Sequence, residues 1–580
     1  MSSGQAVRPS QFVLTYGVGS ILETPNGPRV IMSYKEWGRI FNKSDTSLEL
    51  CKYEIRDQNV SSQLDGGKIF RLPTNADLQL PDDRALFKTK RFPEWGLCQT
   101  HRKLYQITSI GTSRCPDCNP TKNAQEEAIR FVRACPRGHL DDVTWGEIVH
   151  QKNPKCNFSI FDWIETGSAL WDINIQCPRC HSSASLQDVY NNRWKCSGRF
   201  VESDFKEPCE EKSSVVLRNA SNLRVVEPVS ALTIPPMTTN IHRILQNTHI
   251  LSILASEDSW TKKGLIEKLM TAAKRFPEIN SVTIAEIEQL PEATILNAIK
   301  DVLQSLDQNL SDRDVKQKEL IALRYAAVNG APLQQCSEPQ DFEVDKEAVR
   351  SSVQFSPNLL LRITPVKRLR VVMAQKYYVR PIRGTAKAKV DTGYFDGQDR
   401  WYVGVELHGE GVFVDLSPNQ ELTLKNTTTK NTWLKAYQET NSPFFHPLFV
   451  WYHTLSHRLI TALSIDSGYS SASIRERVYV WQDPVTKIFH GGILLYTTQS
   501  GGDGSLGGLI ALVPEFERVL RAAQRNIYSC SNDPLCGEQK LADRGRANGA
   551  ACYACLLVSE TSCEFGNIYL DRNLMRENIL

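Results

Sequence analysis

Cysteine and histidine recur at chelating distance in three stretches of this chain. Cys98-x2-His101 is followed by Cys115-Pro-Asp-Cys118, and Cys177-Pro-Arg-Cys180 by Cys196 and Cys209. Near the end, Cys530-x5-Cys536 is followed by Cys552-Tyr-Ala-Cys555, with Cys563 as a substitute ligand. Two short pairs joined by a loop are what a tetrahedral zinc ribbon or knuckle needs, because each tight turn offers two ligands and the loop closes the set. Thiolate and neutral imidazole both suit zinc. A set of four protein ligands leaves no position for water, so the spacing points to about three structural rather than catalytic zinc ions. His181 is a spare ligand beside the second set. Cys135, His139, His150 and Cys156 read more simply as buried thiols and hydrogen-bonded histidines, with Cys135-Pro-Arg-Gly-His139 as half a site at most.

Other chemistry fits less well. His453-Thr-Leu-Ser-His457 sets two imidazoles on one helix face, but Thr454 stands where a zinc protease of the H-E-x-x-H type has its base. Two polar residues at a domain contact are the plainer explanation. A nuclease or phosphohydrolase built on His453, His457, Glu476 and the glycine-rich loop around Asp503 is the alternative. That loop, Gly501 to Gly508, follows an apolar strand and could cradle phosphate, yet lacks the Gly-Lys-Ser/Thr ending of a P-loop. Gly66-Gly67-Lys68 runs into Ile69 and fails the same pattern. The chain is therefore expected to have no nucleotide-hydrolysing site, and no catalytic residue is assigned.

Net charge is only +3, so a nucleic-acid surface must be a local patch. One candidate is Lys88, Lys90 and Arg91, with Arg102 and Lys103, around the first cysteine set. The other is Arg362, Lys367, Arg368, Arg370, Lys376, Arg380 and Arg383, interleaved with Tyr377 and Tyr378, a mix suited to single-stranded backbone and base stacking.

These residues need elements to hold them. A chain of 580 residues predicts about three to five domains. Residues 1–85 read as strand-rich, including Phe12 to Tyr16, with Pro25-Asn26-Gly27-Pro28 as a hairpin turn. Residues 86–215 hold nine of the sixteen cysteines among short strands. Residues 216–350 carry apolar positions at helical spacing and form a helical insert. Residues 351–580 form a mixed α/β domain with a strong helix from Pro447 to Ala462, a second over 511–525, and the last cysteine set. The fold class is α+β, multidomain, with small zinc-ribbon-like modules. No apolar run approaches the ~18 residues of a membrane span, and the N-terminus does not read as a secretory signal. The implied compartment is the cytoplasm, where paired cysteines hold metal more often than they form disulfides.

Long motifs carry a family resemblance. They are Arg8-Pro-Ser-Gln-Phe with Thr15-Tyr-Gly-Val-Gly-Ser, Arg130 to Asp142, Asn219-Ala-Ser-Asn222 and Gly409-Glu-Gly-Val-Phe-Val414. In the carboxyl half they are His453 to His457, Gly468 to Arg477, Gly504 to Gly508, Gly549 to Glu564 and Leu570-Asp-Arg572. The chain resembles the DrmB family of the DISARM antiphage defence system. Its carboxyl half resembles the helicase-associated, cysteine-bearing domain of unknown function that also ends certain DNA-repair helicases. The resemblance implies a bacterial defence protein paired with the superfamily 2 helicase DrmA, bracing it and helping it hold DNA. It also implies a CxxC where this chain has Cys98-x2-His101, a swap zinc tolerates.

Overall fold

Helix and strand both contribute heavily, and the fold is α+β. The computed structural model describes residues 7–37, 50–81, 86–107, 115–118, 126–220, 223–233, 240–245, 248–254, 256–257, 259–276, 279, 281–306, 312–330, 342–382, 388–396, 399–483, 488–499, 507–541 and 547–579. They form two compact units, each discontinuous in sequence. One comprises 1–55, 66–229 and 373–405; the other 56–65, 230–372 and 406–580.

The first unit holds the short-stranded cysteine region. Ile21–Thr24 and Gly27–Ile31 form the expected hairpin around Pro25 and Asn26. The segment before it differs from expectation: Pro9–Leu14 is a helix, not a strand. Proline is at home in a first helical turn, where its missing N–H is not needed, and the Arg8 N–H donates to the Gln11 side chain at 3.2 Å. Two six-stranded sheets follow. One runs in the order Ser183–Ser185, Ile173–Gln176, Phe161–Glu165, Lys103–Gln106, Trp95–Cys98, Glu126–Ala128. The other runs Arg193–Lys195, Lys212–Leu217, Phe131–Ala134, Leu140–Asp141, Arg199–Phe200, Phe205–Lys206. Trp95, Trp145, Phe161 and Trp163 anchor the apolar core beside them.

The second unit contains the helical insert and the carboxyl domain. A strand that the periodicity did not reveal, Val225–Leu232, begins in the first unit and ends in the second, and the insert then runs as helices from Asn240 to Asn329. Its buried face gathers Leu245, Ile266, Leu269, Ile287, Ile295 and Val302. The carboxyl domain is a sheet whose strand Asp399–Leu416 pairs antiparallel with Phe489–Gln499, which pairs antiparallel with Ile474–Gln482. A Cβ on Gly409 would lie 1.8 Å from the Thr497 carbonyl oxygen, so only glycine permits that pairing. Helix Pro447–Asp466 lies on these strands and on helix Phe516–Tyr528. It is buried nearly all round, including the polar His453, Thr454, Ser456, His457 and Arg458 of its middle turns. Helix Asp312–Asn329 is tied to strand Ile474–Gln482 by a buried fork: Arg477 donates to both Glu319 carboxylate oxygens at 2.6 and 2.9 Å, and Tyr479 adds its hydroxyl at 3.0 Å.

Candidate metal centres

Five sets of side chains bring their ligand atoms within 4.8 Å of one another among the described residues. Four contain only cysteine and histidine. In a zinc tetrahedron with Zn–S near 2.3 Å, neighbouring ligand atoms lie about 3.3–3.8 Å apart. That is well beyond the ~2.05 Å of a disulfide.

The first set is Cys98, His101, Cys115 and Cys118, as the spacing predicts. Cys98 ends strand Trp95–Cys98, and the turn carries Arg102 at positive φ before strand Lys103–Gln106 begins. His101 offers Nδ1, at 3.7 Å from Cys98 Sγ, 3.7 Å from Cys115 Sγ and 3.3 Å from Cys118 Sγ.

The next eight ligands correct the sequence grouping. Cys177 and Cys180 do not join Cys196 and Cys209. Cys196 and Cys209 meet Cys135 and His139, while Cys177 and Cys180 meet His150 and Cys156. Strand pairing is the reason. Cys177 follows one strand of the first six-stranded sheet, whereas Cys135 and Cys196 each follow strands of the second. The residues read as ordinary buried thiols and histidines are therefore half of two sets.

His139 Nδ1 lies 3.2 Å from Cys135 Sγ and 3.5 Å from Cys196 Sγ, and its Nε2 meets Glu207 Oε1 at 2.9 Å. A ligating histidine ordinarily gives its other ring N–H to such a partner. Gly198 donates its N–H to Cys196 Sγ at 3.3 Å, and a Cβ there would meet the Glu207 carbonyl at 1.7 Å. In the other set Cys156 and Cys177 sulfurs are 3.9 Å apart, and His150 keeps a buried Nε2 without a hydrogen-bond partner. His181 is exposed in the turn at positive φ and lies outside the set.

The fourth set is Cys530, Cys536, Cys552 and Cys555, as expected. Its sulfurs are spaced at 3.4 Å (Cys530–Cys552), 3.6 Å (Cys536–Cys555) and 3.7 Å (Cys552–Cys555). Backbone N–H groups of Asn532 and Cys552 point at sulfur, each at 3.4 Å. Cys563 is not its substitute; it belongs to the fifth set, with His453, His457 and Glu476.

Known proteins bear on these sites. A family model described as a domain of unknown function (DUF8724) matches residues 8–225. A second, described as the MrfA Zn-binding domain, matches residues 455–556, the stretch that contains the fourth set. The DISARM protein DrmB of Bacillus paralicheniformis is 26% identical over 96% of this chain and 98% of its own length. The chain is a homologue of DrmB. A crystal structure of the DUF1998 helicase MrfA bound to DNA is 13% identical, with a TM-score of 0.17, over 33% of this chain; the match spans 22% of that helicase.

Within this DrmB homologue the thiols of a set respond unequally. Hydrogen bonding from Cys196 and then His139 holds the Cys135 thiol down to about 4, against burial. Burial opposes ionisation of Cys552, yet contacts from Cys530, the Ala554 backbone and Asn532 hold it down to about 7. Burial and then the neighbouring Cys552 push Cys536 up to about 12. Thiolates crowded at these distances repel, and a dication among them removes that conflict.

The proposed basic patches are reshaped. Arg380 is buried and donates to the Gly138, Leu223 and Gly19 carbonyls at 2.9, 2.7 and 3.2 Å. Arg370 is buried against Glu406 at 2.7 Å and Asp57 at 3.5 Å, and Arg362 is buried against Asp415. These three are spent inside the protein and cannot reach DNA. Lys88 pairs with Glu36, Lys90 with Glu94 and Asp204, and Lys367 with Asp345, all at the surface. Arg91, Arg368 and Lys376 are half-exposed, and Lys376 lies over the Tyr377 ring. Arg383 and Asp503 lie outside the described residues. His453, His457 and Glu476 are buried, so a nuclease reading of them has no open face for a phosphodiester. No helix among the described residues is long and apolar enough to cross a membrane.

Proposed function

We propose that this chain is a non-catalytic, zinc-binding accessory subunit of an antiphage defence complex, which pairs with a superfamily 2 helicase of the DrmA type and supports its hold on DNA in the cytoplasm. The observation that carries the reading is the convergence of four complete Cys/His sets in a homologue of a DISARM protein. The ligands are Cys98, His101, Cys115 and Cys118; Cys135, His139, Cys196 and Cys209; His150, Cys156, Cys177 and Cys180; and Cys530, Cys536, Cys552 and Cys555. Sulfur and imidazole donors at tetrahedral spacing fit zinc, and sets with four protein ligands act as staples, not as reaction centres. The match of a Zn-binding domain over residues 455–556 supports the last of them.

Such staples suit a subunit that offers rigid surfaces made from short strands and loops, which bury little apolar area of their own. With no P-loop sequence in the chain, ATP-driven work falls to the helicase. Lys88, Lys90, Arg91, Lys367, Arg368 and Lys376 remain as candidate DNA contacts.

Co-expression with a superfamily 2 helicase of the DrmA type tests the pairing. The two chains should co-elute on gel filtration and bind DNA more tightly together than either does alone. Labelled DNA should stay intact with magnesium or manganese. Separate elution overturns the partnership, and cleavage that follows the purified chain overturns the non-catalytic assignment.

A further inference from the structure

The fifth set lies wholly inside the carboxyl domain, and with both imidazoles neutral its ring nitrogens meet with no proton between them. His453 Nδ1 faces the Tyr569 carbonyl at 3.3 Å, and His457 Nδ1 faces the Leu556 carbonyl at 2.8 Å. A carbonyl can only accept, so both Nδ1 atoms carry hydrogen. In the neutral rings both Nε2 atoms are then lone pairs. They face each other at 3.1 Å.

The remaining neighbours of that point are acceptors too. His453 Nε2 is 2.9 Å from Glu476 Oε1 and 3.3 Å from Cys563 Sγ, and His457 Nε2 is 3.4 Å from the same carboxylate oxygen. Cys563 Sγ receives the Phe565 and Asn567 N–H groups at 3.3 and 3.2 Å, so the backbone uses this sulfur as an acceptor and leaves its remaining lone-pair direction toward the cluster. Glu476 is held by the Ser456 hydroxyl on its outer oxygen, Oε2, and by the Glu564 N–H on Oε1 at 3.2 Å. Two nitrogens, one oxygen and one sulfur thus converge, and the four residues expose 0%, 0%, 3% and 8% of their surface.

We infer that His453, His457, Glu476 and Cys563 bind a divalent metal ion, zinc by its donor set, in a closed site separate from the four Cys/His sets. Two neutral imidazoles, one carboxylate and one thiolate carry two negative charges, so a dication makes the assembly neutral. Neutrality matters in a core where an unpaired charge is strongly destabilising. Each imidazole has the carbonyl partner that ligating histidines ordinarily use to fix ring and tautomer. The i, i+4 spacing on helix Pro447–Asp466 supplies two ligands from adjacent turns of one face. With four protein ligands and no solvent, the ion has no position for substrate or water. Its work is to pin three pieces of chain: the helix, strand Ile474–Gln482 and the 556–569 segment. The site also touches the fourth Cys set through the chain, because His457 holds the Leu556 carbonyl while Arg458 holds that of Cys555 at 2.8 Å.

The decisive measurement uses the unaltered full chain. Crystals grown from zinc-supplemented protein are measured on both sides of the zinc absorption edge. An anomalous peak should lie among His453 Nε2, His457 Nε2, Glu476 Oε1 and Cys563 Sγ, comparable in height to the peak at the Cys530–Cys555 set. No peak at that point overturns the inference and leaves a shared-proton network in its place. Filled Cys/His sets beside an empty fifth set would leave the proposed function untouched, so the two fail separately. As a second arm, Glu476→Gln and Cys563→Ser should each lower zinc content by one equivalent per chain. Zinc content unchanged in both soluble variants overturns the inference as well.

Discussion

Glu207 holds the outer nitrogen of His139: its Oε1 lies 2.9 Å from Nε2, while Nδ1 faces the thiols of Cys135 and Cys196. That contact sets the tautomer and aims the ligating nitrogen. Removing the carboxylate leaves the ring free to turn, and outer partners of this kind typically contribute about 10–100-fold in metal affinity. Glu207→Ala should therefore release one zinc equivalent to a chromophoric chelator about 10–100-fold faster than the wild type, with the other equivalents unchanged. Identical release would show that the carboxylate only covers the ring.

The crossed grouping of the second and third sets makes a counting prediction. Cys177 and Cys196 sit in different sets. The double variant Cys177→Ser/Cys196→Ser should lose two zinc equivalents per chain, and each single variant one. Were Cys177, Cys180, Cys196 and Cys209 one site, the double variant would lose no more than either single. Elemental analysis of the four proteins, each purified without chelator, decides between them.

How far the sequence exposes this molecule follows from the range of the pairing. The first and fourth Cys/His sets close within one local stretch each, so spacing alone finds them. The four half-sites at 135/139, 150/156, 177/180 and 196/209 pair like nested brackets, inner with inner and outer with outer. Strand partners chosen across the intervening chain decide that order, and spacing cannot see it. Unpaired Cys135-x3-His139 and His150-x5-Cys156 were the available signal: two orphan half-sites beside an apparently complete set. Helix Pro447–Asp466 is legible because its apolar positions continue for five turns. Its His453 and His457 are legible as a pair, and Glu476 joins them in the sequence reading as part of a hydrolase alternative, but Cys563, read as a spare ligand of the last cysteine set, comes from a loop that only tertiary packing delivers. Charge runs mislead for a related reason: Arg370 and Arg380 look like surface cations in sequence and are consumed by buried carboxylates and carbonyls.

Arg572 closes the last cysteine set from the side. It is fully buried and donates to Asp533 Oδ1 at 2.5 Å, while Asp533 also takes the Cys530 and Gly537 N–H groups at 2.8 and 3.0 Å. Arg572→Met keeps the apolar stem and removes the donor. The solvent-facing Asp533 carboxylate then loses its charged donor, and the turn that carries Cys530 and Cys536 is held less firmly. Thermal unfolding should shift down, and limited proteolysis should cut first within 530–555. A variant as protease-resistant as wild type would mean that the metal alone holds this turn.

His446 should make stability depend on pH in a defined window. Leu448 donates its N–H to His446 Nδ1 at 3.3 Å, so the ring acts as the cap of helix Pro447–Asp466, and it stacks on Phe489 with centroids 4.2 Å apart. Burial, and then the nearby Lys430, pull its pKa down to about 4. In the unfolded chain the value is about 6.5. Between these values the unfolded state binds a proton that the folded state does not, so stability rises with pH there. The contribution is complete above about pH 6.5 and is lost progressively as pH falls towards about 4. His446→Asn keeps a capping acceptor that does not titrate. On going from pH 7.5 to pH 5, wild type should lose about 1–2 kcal/mol more than the asparagine variant in denaturant unfolding. Acid also loosens the metal sets, but that loss is common to both proteins and cancels in the difference. Parallel pH profiles would mean that the ring is not a neutral cap.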